Sequence, residues 1–136
     1  MSFETFEFEM KLLKKYKENL EDIEREIDDI CYQYAGVRGV SYDKQRVLFS
    51  PEAAEEQREK LYEALKGPQK RLDQTTRAIE WLEPKVYSNI SKLPAFIQSA
   101  VRMKFWENLT YVQIGRTFGY SDRGMKYRIE REIAKI

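Results

Sequence analysis

Apolar side chains recur at every third or fourth residue from position 3 to about position 35, a spacing that places them on one side of a single long α-helix. Positions 6, 13, 20, 27 and 34 are all apolar at a seven-residue step, as in coiled coils and long helical hairpins. An isolated helix cannot bury such a stripe, so a second helix or a second copy of the chain must cover it. The stripe consists of Phe3, Phe6, Met10, Leu13, Tyr16, Leu20, Ile23, Ile27, Ile30 and Tyr34.

The segment after this helix contains signals for a break and then for a new helix. Gly36 and Gly39 interrupt the periodicity, and residues 36–50 are turn-rich, which predicts an ordered connector. Ser50-Pro51-Glu52 is a strong helix start, because serine caps free amides, proline is tolerated at the first helical position and a carboxylate suits the positive end of the helix dipole.

A second apolar stripe of helical spacing continues to residue 90. We expect Gly67-Pro68 and Pro84 to interrupt or bend this helix, since proline removes a hydrogen bond and crowds the preceding turn. The simplest arrangement is an antiparallel hairpin in which residues 51–90 cover residues 3–35. Because a broken partner helix would cover the stripe unevenly, we expect a homo-oligomer through residues 3–90.

The composition favours an all-α protein and excludes several kinds of site. The 136 residues are 42% hydrophobic and 35% charged, with only 6 Gly and 4 Pro, which argues against a sandwich or a disordered chain. Histidine is absent and Cys31 is the only cysteine, so we expect no disulfide, no zinc site and no histidine-based catalysis. We therefore expect no enzyme, no metal and no other cofactor. The lone cysteine fits a reducing cytoplasm, and the acidic first ten residues argue against a signal peptide, so we expect a cytoplasmic protein. No segment approaches 18 apolar residues, so we expect no membrane partner.

Charge is distributed unevenly along the chain. From Ser91 onward there are nine basic and four acidic residues, a net charge of +5, whereas the preceding residues carry a net charge of −4. Clustered Lys and Arg neutralise phosphates, so this asymmetry points to a polyanion-binding C-terminal part, although a solvated surface also has such charges. We therefore divide the chain into residues 1–90, the helical hairpin, and residues 91–136, a DNA-binding domain.

The C-terminal part contains a capping box, which predicts the start of a short helix at Tyr111. Thr110 and Gln113 have the spacing at which each side chain bonds the other's backbone amide, and Leu109 and Ile114 are spaced to form a hydrophobic staple. A helix that precedes this one has apolar residues at Phe96, Ile97, Ala100, Val101 and Phe105.

Glycine and serine then predict a tight turn and a final helix. The short helix is expected to end at Phe118, and Gly119 supplies the positive φ of the turn. Gly115 lacks a side chain, which would let another helix cross closely. Ser121 and Asp122 cap the final helix.

The final helix has two different faces at about 100° per residue. A helix, a glycine turn and a second helix with a basic, aromatic outer face form a helix-turn-helix. The inner arc contains Met125, Ile129, Ile133 and Ile136, and the opposite arc contains Arg123, Lys126, Tyr127, Glu130 and Arg131. Glu130 follows Lys126 by four residues and has the spacing for an ion pair with it.

Five segments together resemble region 4 of sigma-70-type factors: Leu93-Pro94, Val101-Arg-Met-Lys-Phe-Trp106, Thr110-Tyr-Val-Gln-Ile-Gly115, Phe118-Gly-Tyr-Ser121 and Met125-Lys-Tyr-Arg-Ile129. With the long N-terminal helix and Val40-Ser-Tyr-Asp43, the whole chain resembles small phage-encoded regulators of Gram-positive prophages, the RinA, ArpU and LtrC-like late-transcription activators. The resemblance implies transcription control in the cytoplasm of a bacterial host. Gly115 stands where the pattern usually has alanine, and Gly124 weakens the first turn of the last helix.

These patterns predict a sequence-specific transcription regulator that binds double-stranded DNA. We expect Arg123, Lys126 and Tyr127 to approach base edges, while Tyr111, Gln113, Ser121 and Arg131 hold phosphates. The hairpin would serve dimerisation or contact with RNA polymerase. Two alternatives stay open: a packaging protein similar to a small terminase subunit, and a helical protein-interaction module that does not bind DNA.

Overall fold

The computed structural model describes residues 1–36 and 51–136. Within these ranges the fold is all-α, as predicted, with no strand: α1 is Phe3–Gly36, α2 is Pro51–Ser91, α3 is Ala95–Phe105, α4 is Tyr111–Phe118 and α5 is Asp122–Ala134. The predicted connector lies almost entirely outside the described residues. None of the described helices is both long and apolar enough to cross a membrane.

Helix α1 ends at Gly36 and α2 begins at Pro51, as predicted. Of the two effects expected at Gly67-Pro68 and Pro84, an interruption or a bend, the interruption does not occur. The helix passes through Gly67-Pro68 and Pro84 without a break. A proline removes one hydrogen bond and crowds the preceding turn, but the turns on either side can keep their bonds and continue the helix. Pro68 is also buried, so apolar packing offsets part of the loss. The argument for an oligomer from a broken partner helix therefore does not hold, and the oligomer stays a prediction.

The chain forms two compact units, and their boundary does not coincide with the predicted division at residue 90. The first unit contains residues 1–17 and 78–136, and the second contains residues 18–77. In the first unit, the Trp106 indole N–H donates to the Met10 carbonyl at 3.0 Å. The Phe105 ring also meets the ring of Phe6 edge-on at 6.2 Å. The beginning of α1 and the end of α2 thus share one core with α3, α4 and α5.

Side chains from all five helices build the core of the first unit. Ion pairs join Glu9 to Lys85 and Lys17 to Glu83, both at 3.0 Å. The later residue of α1 pairs with the earlier residue of α2, so the two helices run antiparallel there. The buried residues are Phe6, Met10, Leu13, Leu82, Val86, Ile90, Leu93, Ile97, Ala100, Val101, Phe105, Ile114, Met125, Ile129 and Ile133.

The second unit is built from the remaining parts of α1 and α2. Its buried apolar side chains among the described residues are Ile23, Leu65 and Pro68. The guanidinium of Arg71 donates to the Glu26 carboxylate at 2.8 Å, and this exposed hydrogen bond links the two helices.

Candidate nucleic-acid interface

The capping box that starts α4 is formed as predicted. The Gln113 amide N–H donates to the Thr110 hydroxyl at 3.2 Å, and the Thr110 amide N–H donates to the Gln113 side-chain carbonyl at 2.9 Å. Ile114 is fully buried and Leu109 packs against the same core, as the predicted staple requires. Local hydrogen bonding and one apolar anchor thus fix where α4 begins.

Two backbone amides donate hydrogen bonds to the same carbonyl and so close the turn after α4. The N–H groups of Gly119 and Tyr120 both point to the Gly115 carbonyl, the latter at 2.8 Å. Gly119 has φ of 79°, the left-handed conformation predicted for it. A Cβ at Gly115 would overlap with the Tyr120 carbonyl oxygen, so the close approach is to the turn and not to a crossing helix.

Ser121 caps α5 as predicted. Its hydroxyl accepts the Gly124 amide N–H at 3.0 Å, and its carbonyl accepts the Met125 amide at 2.8 Å. A Cβ at Gly124 would lie 3.0 Å from the Ser121 hydroxyl oxygen, so a small residue suits this position despite its low helix propensity. The three residues 119–121 therefore separate two well-defined helix ends.

The inner face of α5 contains one buried carboxylate in addition to the predicted apolar residues. Glu132 is only 7% exposed, and it forms ion pairs with Lys135 at 3.2 Å and with Arg128 at 3.5 Å. The Arg128 guanidinium lies 5.7 Å from the centre of the Phe96 ring, and Phe96 stacks in parallel on Tyr120 in the turn. These contacts join α3, the turn and α5, and they fix the direction of α5.

Four predicted site residues lie exposed on the outer face of α5: Arg123, Lys126, Tyr127 and Arg131. Within the described ranges, no carboxylate forms an ion pair with Arg123, Lys126 or Arg131. The pair between Lys126 and Glu130, considered from their spacing, is therefore not formed. The face opposite the core of α5 thus carries uncompensated positive charge.

Ser121 and Gln113 stand at the two helix starts, where their side-chain oxygens already accept capping bonds. Both residues are exposed, and the Ser121 hydroxyl and the Gln113 side-chain NH₂ group can each donate to a further acceptor. Their capping function does not exclude the predicted phosphate contact.

Tyr111 lies near charges of both signs, which its position in the sequence does not indicate. The residue is half-buried, and the Lys104 ammonium lies 4.3 Å from the centre of its ring. Burial raises the pKa of Tyr111, and the charges of Glu130 and Glu7 raise it further. The neutral phenol can donate a hydrogen bond, but the two carboxylates oppose an approaching phosphate.

Sequence reasoning counted Arg116 among the basic residues and gave it no role. It is exposed on α4, and no described carboxylate pairs with it. Its position three residues after Gln113, on a helix of 3.6 residues per turn, was the signal that could have placed it beside the predicted phosphate contacts.

Comparison with known protein families, with curated proteins and with solved structures finds no match to this chain. Among residues 1–36 and 51–136, no group of three acidic or sulfur side chains is arranged to hold a metal ion.

Proposed function

We propose that this protein binds double-stranded DNA through α4, the turn and α5, with α5 in the major groove, and that it regulates transcription. The observation that carries the proposal is the unpaired positive charge on the exposed face of α5. Exposed guanidinium and ammonium groups without carboxylate partners remain available to phosphates and to guanine bases.

The acidic residues of α5 offset this charge only in part, since Asp122 is exposed in the first turn but forms no ion pair with these cations. Glu132 is engaged with Arg128 and Lys135 on the inner side, and Glu130 is half-buried near Tyr111. The whole first unit has 14 basic and 9 acidic residues, a net charge of +5. This net charge favours association with a polyanion.

The side chains divide by the DNA group they would contact. Arg123, Lys126 and Tyr127 would read base edges, because they lie in the first two turns of α5 beside the turn. Phosphates would be held by Ser121, Gln113, Arg131 and Arg116, with Tyr111 at the margin. This division separates residues that specify the site from residues that set its salt dependence.

The regulatory part of the proposal is supported by the resemblance to phage late-transcription activators. The helical region of residues 1–90 would then mediate self-association or contact with RNA polymerase. A packaging protein would select a packaging site instead of a promoter, and a protein-interaction module would select no DNA.

The test is selection of bound duplexes from a random-sequence library, followed by binding measurements on the enriched site. Arg123→Ala should weaken binding to that site about 5-fold to 150-fold, the effect of one lost base contact. Arg58→Ala in the second unit removes an equal charge from an exposed position and should bind like the wild type. Failure to enrich any sequence, or equal effects of both substitutions, would contradict the proposal.

A further inference from the structure

Tyr127 is an exposed aromatic residue whose ring forms no aromatic or cation–π contact with the described residues. It is 65% exposed, and no other described ring or cation lies against it. The other tyrosines of the first unit differ: Tyr16 packs on the core, Tyr87 meets Trp106 edge-on, Tyr111 lies under Lys104 and Tyr120 stacks on Phe96. An exposed aromatic ring without such a contact, on a face of unpaired cations, indicates that its partner is a ligand.

The position of Tyr127 narrows the choice of that ligand. It points about 160° away from the fully buried Ile129, so it lies at the centre of the exposed face. Arg123 and Arg131 stand one turn before and one turn after it, each about 6 Å along the helix axis. A helix that lies in the major groove with these arginines on the DNA holds the Tyr127 ring against the floor of the groove.

The floor of the major groove offers an aromatic ring one kind of apolar partner. In a duplex the base faces are stacked and closed to side chains, and the exposed edges present hydrogen-bond donors and acceptors. The exception is thymine, whose C5 methyl group projects into the groove and makes apolar contacts with side chains.

Resting on the proposed DNA binding, we infer that Tyr127 reads the methyl group of a thymine through its ring. Arginine pairs most often with guanine, and Arg123 stands about 6 Å from Tyr127 along the axis. The bound site should therefore contain a thymine within about two base pairs of a guanine, since base pairs are stacked about 3.4 Å apart.

The experiment replaces each thymine of the selected duplex in turn with deoxyuridine, which removes the methyl group and keeps the hydrogen-bonding edge. At one thymine the wild-type protein should lose about fourfold in affinity, the effect of one buried methyl group. Tyr127→Phe keeps the ring and should keep this methyl effect. Tyr127→Ala should bind thymine and deoxyuridine duplexes equally. Tyr62→Ala, which removes an equally exposed tyrosine of the second unit, should behave like the wild type.

The outcomes separate this inference from the function on which it rests. A protein that enriches a defined site but responds to no thymine methyl, or whose methyl effect persists in Tyr127→Ala, overturns the inference and leaves DNA binding intact. If Tyr127→Phe binds as weakly as Tyr127→Ala without a methyl effect, the contact is made by the hydroxyl and the inference is wrong. A protein that enriches no duplex overturns both.

Discussion

Gly115 in α4 lies directly against the carbonyl of Tyr120 in the turn, and the space between them excludes a side-chain carbon. The same glycine accepts the Tyr120 amide through its own carbonyl at 2.8 Å. Helix and turn therefore meet backbone to backbone at this residue. The angle between α4 and α5 depends on this contact, because the turn has only residues 119–121.

We expect Gly115→Ala to destabilise the protein although alanine is the better helix former. The overlap with the turn backbone should cost about 1–3 kcal/mol, which exceeds the gain in helix propensity of about 1 kcal/mol. Gly67→Ala is the matched control, because a Cβ there meets nothing within 4 Å. Its propensity gain is opposed by the restriction on a residue before proline, so it should stay within about 1 kcal/mol of the wild type. Thermal or urea unfolding measures both; an unchanged or higher stability of Gly115→Ala would contradict this view of the turn.

The parts of the fold that were predicted correctly depend on signals a few residues apart. The Thr110 and Gln113 capping box, the left-handed Gly119 and the Ser121 cap are all local hydrogen-bonding arrangements, so the spacing of residue types determines them. The start of α2 at Pro51 was likewise predicted from neighbouring residue types.

Contacts between distant parts of the chain were not predictable in this way. The bond from Trp106 to the Met10 carbonyl joins residues 96 positions apart, and neither segment has a local signal for the other. The uninterrupted α2 and the burial of Glu132 likewise depend on surroundings that periodicity does not report. For the candidate site, spacing predicted the exposure of Arg123, Lys126, Tyr127 and Arg131, but not the partial burial of Glu130. It also did not predict that Glu7 of α1 comes near Tyr111.

DNA binding should depend strongly on salt. The two cations assigned to phosphates, Arg116 and Arg131, should give each helix-turn-helix a slope of log K against log salt of at least about 1.8 in magnitude, since each neutralised phosphate contributes about −0.9. Arg131→Gln should reduce the magnitude of the slope by about 0.9. Arg58→Gln should leave it unchanged. Titrations at several salt concentrations measure the slope, and a value near zero would mean that the exposed cations of α5 are only a solvated surface.

Tyr111 should make the folded state sensitive to alkaline pH. Because burial and the nearby Glu130 and Glu7 raise its pKa in the folded protein, the folded state retains the phenolic proton more strongly than the unfolded chain. This contribution to stability is present below the ordinary value of 10.0 and is lost as the pH rises above it. Tyr111→Phe cannot ionise and should lose less stability over this range, as unfolding curves at neutral and alkaline pH would measure. Parallel pH profiles of the two proteins would contradict the expectation.

Self-association through residues 3–90 should give a mass in solution above the 16.3 kDa of one chain. Two large aromatic side chains of the first unit, Phe8 and Trp81, are 64% and 70% exposed and are available for such contacts. Phe8→Glu should lower the measured mass if its ring is buried between copies, because a buried carboxylate is costly. A strictly monomeric wild type at tens of micromolar, by light scattering or mass photometry, would rule the prediction out.

The two faces of α5 should respond differently to truncation. Arg123 and Met125 are two residues apart but point about 160° from one another, and Met125 is fully buried whereas Arg123 is exposed. Met125→Ala should leave a cavity beneath the helix and cost about 2–5 kcal/mol of folding free energy. Arg123→Ala should leave the melting temperature unchanged, cost about 1–3 kcal/mol in specific binding and relax the preference at one base position.

Thermal melts and competition binding on both variants decide this assignment. If Arg123→Ala unfolds the domain, the arginine supports the fold and is not free to contact DNA. If Met125→Ala melts like the wild type while losing only affinity, α5 is rotated relative to the face described for it. Either outcome would mean that α5 is rotated about its own axis relative to the orientation described here. The DNA-contacting residues would then have to be reassigned, and Tyr127 would point away from the groove together with Arg123.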